Sequence, residues 1–337
     1  MGTRPILLAI AAALLGACAG TATRLPDIAV PDLRREAITQ ERRALAVLDA
    51  NAERLLRVGR PVLLANASLC PKTRRDIGVM IHSEDNYSKE MRIAAGRELG
   101  AGEQPSVFKL APGGPAEAAG LEPGDRVLVE GRPADPKTLR DWLSDTDGPV
   151  ALSVERKSQV VALTVTPDTV CDSRLRLRAS GAINAYADGR NITFTSGMMD
   201  FVRDDNELAL IIGHELAHNT MGHIRKAITN FILSGMATRY TRPFESEADY
   251  VGLYYMVRAG YDPAGVEDFW RRLAEVDPRS VNRAKTHPTF PDRYLRIAAA
   301  RAEIEAKQRS GEALVPNYKD DAPSGAAERA EGDDPDA

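Results

Sequence analysis

The chain has 337 residues, 43% of them hydrophobic and 27% charged, and a formal net charge of −4. That composition suits two globular domains with tails and excludes both a fibre and a membrane bundle. A mildly acidic chain with no basic patch gives no footing for nucleic acid.

Arg4 precedes an apolar run from Ile6 to Leu15, which is too short to span a bilayer and has the length of an export signal. The run closes on Leu15-Gly16-Ala17-Cys18, which resembles a bacterial lipobox. The resemblance implies a signal peptide over 1–17 and lipidation of Cys18. Ala19, not Asp, follows, which implies a lipid anchor at the periplasmic face of the outer membrane. The alternative is a secreted protein cut after an Ala-x-Ala-like site, with Cys18 incidental.

Residues 18–70 are expected to hold a linker and a helix. Leu45, Val47, Leu48, Leu55 and Leu56 recur at mixed helical spacing and predict a helix within residues 24–60 that packs on the C-terminal domain. Export to an oxidising compartment makes Cys70 and Cys171 an even pair once Cys18 is set aside, so a Cys70–Cys171 disulfide is predicted.

Between Ile77 and Pro167 the pattern turns strand-like, with Val127 to Val129, Val150 to Val154 and Val160 to Val165 separated by turn residues. The stretch from Ala111 to Asp125, with Gly113-Gly114-Pro115 and Pro123-Gly124-Asp125, resembles the short helix and turn of bacterial PDZ domains. This implies a β-rich PDZ domain over 76–167. Ile77, Gly78 and Val79 would then receive a peptide C-terminus through backbone N–H groups, and Leu139 to Leu143 would line the groove. A degenerate, purely structural PDZ domain is the alternative.

The densest chemistry lies in His214-Glu215-Leu216-Ala217-His218. Residues four apart share one helix face, so both histidines can hold one zinc ion while Glu215 points toward an activated water as general base. Asp204, Asp205 and Asn206 offer N-caps, and Leu208, Leu210, Ile211, Ile212 and Leu216 make the helix mostly apolar. Downstream, Glu245-Ser246-Glu247-Ala248-Asp249 falls between a helix start at Thr241-Arg242-Pro243 and a stop at Gly260. Glu245 is placed as third ligand, and Asp249, one turn on, as acceptor for the free ring N–H of a ligand histidine. His223 reads as a helix-end residue rather than a ligand. Ile224 to Tyr240 is too short and interrupted to span a bilayer and fits either core or a lid over the cleft.

Together these residues resemble metallopeptidase family 48, the HtpX-like and CAAX-protease-like gluzincins. Asn184-Ala185-Tyr186 and Ile192 to Thr195, with Asp188-Gly189 as the turn between them, are similar to the strands before the family's zinc helix. Ala259 to Pro263 and Thr286-His287-Pro288 through Arg293 are similar to its later segments. The fold implied is α+β: a mainly helical zincin-type metallopeptidase domain over 171–308 with a small β-sheet, beside the PDZ domain. The activity implied is zinc-dependent hydrolysis of peptide bonds in polypeptide substrates, without an acyl-enzyme. Asn184 and Ala185 would lie beside the bound substrate strand. His287 and Arg293 are the candidates for stabilising the oxyanion, and His287 is also a candidate for closing the open zinc position in a latent state.

Envelope protein quality control is the expected role. The alternative is a chaperone-like or assembly-binding lipoprotein with structural zinc, a reading that loss of Glu215 would have favoured. Residues 309–337 turn rich in Ala, Gly, Pro and Asp and are expected to form a disordered acidic tail.

Overall fold

The computed structural model describes residues 23–233, 242–281 and 289–318. The signal segment 1–17, Cys18, most of the second half of 224–240, and His287 lie outside the described residues. Internal contacts divide the chain into two units, residues 1–42 and 43–337. The described part of the first is largely exposed; it begins the helix α1 (Val30–Ala65) and holds an ion pair between Arg35 and Asp32.

The second unit is mixed α+β with small sheets, and its residues gather around separate apolar cores. The larger core joins Leu55, Val58 and Val62 of α1 to Phe194, Leu208, Ile212, Leu216, Tyr254, Tyr255 and Ile297. The predicted helix therefore exists and runs further than expected; of the residues that predicted it, Leu55 enters this core, Leu45 and Leu48 pack with Ala94 and Ala95 instead, and Val47 is exposed. At its end Asn66 is fully buried: its Nδ2 donates to Val62 O at 2.8 Å and to Tyr255 O at 2.9 Å, and its Oδ1 accepts from Arg258 at 2.9 Å.

Beyond α1, strand β1 (Thr73–Asp76) pairs antiparallel with β8 (Asp168–Cys171), opposing Thr73 to Cys171 and Asp76 to Asp168. A Cys70–Cys171 disulfide stands beside this pair, with Cα atoms 5.5 Å apart, as the even cysteine count predicted. Between the two strands lies a β-rich module: β2 (Val79–His82), α2 (Arg92–Leu99), β3 (Ser106–Leu110), α3 (Pro115–Ala118), β4 (Arg126–Val129), β5 (Arg132–Pro133), α4 (Pro136–Ser144), β6 (Val150–Arg156) and β7 (Gln159–Val165). The predicted strands match β4, β6 and β7. In β6, Val150, Leu152 and Val154 point inward and alternate with exposed Ala151 and Ser153, the period of a strand with one solvated face. The module has its own core, built on Ile77, Val107, Leu121, Leu139, Leu152 and Val154. Its strands form a β2–β3 pair and a four-stranded sheet of order β5-β4-β6-β7.

After the neck, β9 (Arg174–Arg178), β10 (Ala185–Ala187) and β11 (Asn191–Thr195) form a sheet of order β10-β11-β9, with β10 antiparallel and β9 parallel to the central strand. The helices α5 (Ser196–Phe201), α6 (Asp205–Thr220), α7 (His223–Leu233), α8 (Arg242–Arg258), α9 (Asp268–Val276) and α10 (Phe290–Ser310) complete the unit. Residues 309–318, expected within a disordered tail, are tied to the fold. The helix runs to Ser310, Lys307 Nζ donates to Val315 O at 2.7 Å, and Asn317 N donates to the Tyr250 hydroxyl at 2.9 Å. Composition missed this because the tie comes from helices α8 and α10, not from residues 311–318 themselves. Among the described residues no helix is long and apolar enough to cross a membrane.

Candidate metal centre

Helix α6 starts where Asp204 accepts the backbone N–H groups of Asn206 and Glu207, both at 2.9 Å, filling donors the first turn leaves open. Glu207 accepts from Arg203 N at 2.8 Å and is gripped by Arg272 of α9 at 2.7 and 2.5 Å. Every residue from Glu207 to His218 is buried, so the polar motif sits in a helix surrounded by protein. One turn apart, His214 and His218 bring their Nε2 atoms within 3.1 Å.

Helix α8 meets α6 at glycines. A Cβ added to Gly252 would lie 2.5 Å from the His214 backbone nitrogen and 2.8 Å from Gly213 C. Only paired glycines allow backbones so close, and this approach carries Glu245, in the first turn of α8, to the histidines. Glu245 Oε2 is 3.6 Å from His214 Nε2, and Oε1 is 3.4 Å from His218 Nε2. Ligands about 2.0–2.1 Å from a tetrahedral zinc ion stand roughly 3.3 Å from one another. The observed 3.1, 3.4 and 3.6 Å are close to three corners of that figure. The three ligand atoms lie within 4.8 Å of one another, the arrangement a metal ion requires.

Each histidine is braced from behind. His214 Nδ1 donates to Asp249 Oδ1 at 2.9 Å, and Asp249 is held by Arg293 through Nε at 2.7 Å and Nη2 at 2.6 Å. The Arg293 guanidinium stacks on Trp270 at 3.5 Å. His218 is braced by a longer chain: its Nδ1 lies 3.1 Å from Nδ1 of His223, whose Nε2 lies 2.7 Å from Glu247 Oε2. If His218 offers its Nε2 lone pair to a metal, its proton sits on Nδ1. His223 must then accept at Nδ1 and donate from Nε2 to Glu247, so one tautomer of each ring satisfies the whole chain. His223 is 1% exposed and stacks on Phe244, with ring centroids 5.0 Å apart.

Burial disfavours the imidazolium of His214, but hydrogen bonds to Asp249 and Glu245 outweigh it and push the pKa up to about 10. The two carboxylates therefore demand positive charge at this point, and a divalent cation meets that demand. Burial and the neighbouring His214 push His218 down to about 3, so it remains a neutral ligand. Burial raises the Glu215 carboxyl, Glu245 adds to the rise, and His214 opposes it. Glu215 also lies against β10, where the Ala187 backbone N–H favours its charged form.

The structure thus brings together His214, His218, Glu215, Glu245 and Asp249. Arg293, read as a candidate donor to the oxyanion, pairs with Asp249, as a buried carboxylate requires, and its Nη2 also stands 4.0 Å from Glu245 Oε2. Asn184 precedes β10, an outer strand. Its backbone is tied to Thr195 through its N–H at 3.1 Å and its carbonyl at 2.7 Å, while Ala185 pairs with Phe194. The opposite edge of β10 has no strand partner among the described residues. His223 begins α7 and lies outside the candidate ligand set, as read from the sequence, but spacing gave no sign that it would brace His218. Gly222, at φ 67°, turns the chain back and delivers it to His218.

Residues 167–233 and 227–304 match the family described as Peptidase family M48. The mitochondrial metalloendopeptidase OMA1 of Arabidopsis thaliana is 27% identical over 149 residues, covering 37% of this chain and 30% of that protein. The beta-barrel assembly-enhancing protease of Yersinia pestis is 28% identical over 159 residues, 36% of this chain and 32% of that one. Metalloprotease LoiP of Escherichia coli is 26% identical over 145 residues, 34% and 57%. The chain spans about a third of the length of the first two of these curated relatives. Among solved structures, the HtrA3 PDZ domain bound to a phage-derived ligand is 22% identical, covering 29% of this chain and 89% of that one, at a TM-score of 0.22. The HtrA-type protease AlgW with a decapeptide is 24% identical, covering 29% and 30%, at a TM-score of 0.23. Residues 167–304 are therefore similar to Peptidase family M48 and to metalloendopeptidases that resemble this chain over little more than a third of its length.

Proposed function

We propose that the chain is a zinc-dependent endopeptidase that hydrolyses peptide bonds of envelope proteins in quality control. One observation carries this: His214, His218 and Glu245 converge at tetrahedral spacing beside a buried, basic Glu215. Zinc held there by those three side chains supplies Lewis acidity to water and to a carbonyl oxygen. Glu215 takes the proton from the attacking water and returns it to the leaving amine, work that suits a carboxyl whose pKa burial has raised. Asp249 and the His223–Glu247 pair hold the two imidazoles in the tautomers that ligation needs. The open edge of β10 accepts the substrate backbone as an added strand, which tolerates many side chains.

The β-rich residues 76–167 serve as a PDZ-type module that recruits or gates polypeptide. A lipid anchor at Cys18 keeps the enzyme at the periplasmic face of the outer membrane. The similarity to the beta-barrel assembly-enhancing proteases supports the envelope setting.

The test is zinc content and casein cleavage of protein lacking residues 1–18, beside Glu215→Gln. The reading expects cleavage that a chelator abolishes, and a variant that keeps zinc but loses activity. Equal cleavage by the variant would overturn it.

A further inference from the structure

The loop expected to take a peptide C-terminus already holds a carboxylate. Gly78 N–H donates to Asp76 Oδ2 at 3.0 Å, and Asp76 also accepts from Arg60 Nε at 3.1 Å and Arg74 Nη1 at 2.6 Å. Burial would raise the Asp76 carboxyl, but Arg74 and Arg60 hold it below its ordinary value, so it stays charged. Arg60 reaches on to Asp168 of β8, which ties this plug to both neck strands. It also stands over the loop: a Cβ on Gly78 would lie 2.9 Å from its Nε. An incoming terminal carboxylate would meet a like charge and an occupied donor.

The rest of the groove is open. Val79, Ile81, Leu139 and Leu143 line a cavity of about 1270 Å³ that residues of β9 also line. Strands β2 and β9 each have one edge without a strand partner among the described residues. On β9, Arg174 and Arg176 form no ion pair among the described residues. Arg174 Nε is buried without a hydrogen-bond partner, as is Nη1 of Arg140 on α4. Burial, then the crowding of Arg140, Arg74 and Arg176, lowers the Arg174 pKa. Of the acidic groups on the cavity wall, Asp76 is engaged as described, and Asp135 caps α4 by accepting from Lys137 and Thr138. Asp85 pairs with Arg92, and nearby Asp141 pairs with Arg140 and Lys137. Positive charge, apolar side chains and strands with an unpaired edge thus line one cavity.

We infer that this cavity binds an extended internal stretch of acidic polypeptide, its carboxylates against Arg140, Arg174 and Arg176, and not a free C-terminus. The inference rests on the proposed groove-bearing character of residues 76–167 and deepens it by naming the ligand. Strand edges and apolar pockets together favour a polypeptide over any other polyanion.

The experiment uses the full chain carrying Glu215→Gln, so that nothing is cleaved. Fluorescence polarisation would follow a labelled peptide of alternating Glu and Val with a free C-terminus, its C-terminally amidated twin, and a Gln-for-Glu version. Free and amidated forms should bind within about twofold of each other, and the Gln version about tenfold more weakly at low salt. Arg174→Gln with Arg176→Gln should weaken the acidic peptides to the same degree while leaving the unfolding temperature in place. Binding that requires the free carboxylate, that ignores the Glu-to-Gln change, or that is absent for every peptide would overturn the inference. Zinc content and casein cleavage by the wild-type chain are measured alongside. If they persist when peptide binding fails, the peptidase reading stands alone; if they fail while binding persists, only that reading falls.

Discussion

Replacing Gly252 with alanine tests whether the helix crossing sets the metal geometry. The new Cβ would lie 2.5 Å from His214 N, 2.7 Å from His214 Cα and 2.8 Å from Gly213 C. Ordinary carbon contacts need roughly 3.5–4.0 Å, so α6 and α8 must part by about 1 Å. Backbone lies on both sides, so no side-chain rotation relieves the clash. Overpacking of this kind costs about 1–3 kcal/mol, and each kcal/mol lowers the melting temperature of a domain this size by roughly 2–4 °C. The same displacement enters the 3.6 Å between His214 and Glu245, whereas ligand distances in metal sites hold to about 0.2 Å. Zinc affinity should fall about tenfold or more. The assay is thermal unfolding with and without chelator, plus zinc titration against a competing chelator. Gly102→Ala is the control, since nothing lies within 4 Å of its added Cβ. A Gly252→Ala protein with wild-type melting temperature and zinc affinity would refute the idea that this crossing positions the ligands.

His223→Ala strands the buried Nδ1–H of His218 and should cost about 10–100-fold in zinc affinity. His223→Asn restores an acceptor and should recover part of the loss; equal affinity in all three proteins would remove His223 from the site. Removing both cysteines opens a loop spanning a sequence separation of 101, which on the chain-entropy model stabilises by at most about 4.7 kcal/mol. A reductant should therefore lower the urea midpoint of the wild type and leave that of the Cys70→Ser, Cys171→Ser protein alone. In the β-rich module, burial and the nearby Lys109 lower His82 to about 4, against a lesser pull from Asp49. Because the folded state resists protonating it, stability should be whole above about pH 6.5 and decline as the pH falls toward about 4. His82→Phe should flatten that slope in pH-dependent urea unfolding, and an unchanged slope would place the sensitivity elsewhere.

The residues with diagnostic spacing were legible along the chain. His214 and His218 share a helix face because four residues make about one turn, and Asp249 follows Glu245 for the same reason. The alternation of β6 was equally local, the cysteine pair followed from an even count, and the structure carries both. What spacing could not show was every partner brought from another element. Arg293 lies 44 positions from Asp249, and nothing in the spacing showed that the two would pair. His223 does begin α7, but its link to His218 was hidden because its partner Glu247 arrives from a separate helix, α8.

The sequence alone thus singled out His214, His218 and Glu245 as candidate ligands and placed them on two helices, since helical spacing follows from the period of the backbone. Their meeting was decided by tertiary structure, because only the close pass of Gly213 and Gly252 brings Glu245 within 3.6 Å of His214. The fate of the Ile77-Gly78-Val79 loop was decided there too. Its motif offers backbone donors, and one of them, the Gly78 N–H, donates to Asp76, which Arg60 also holds at the neck. Charges buried by packing must find partners inside the fold, and a linear pattern does not say which ones are within reach.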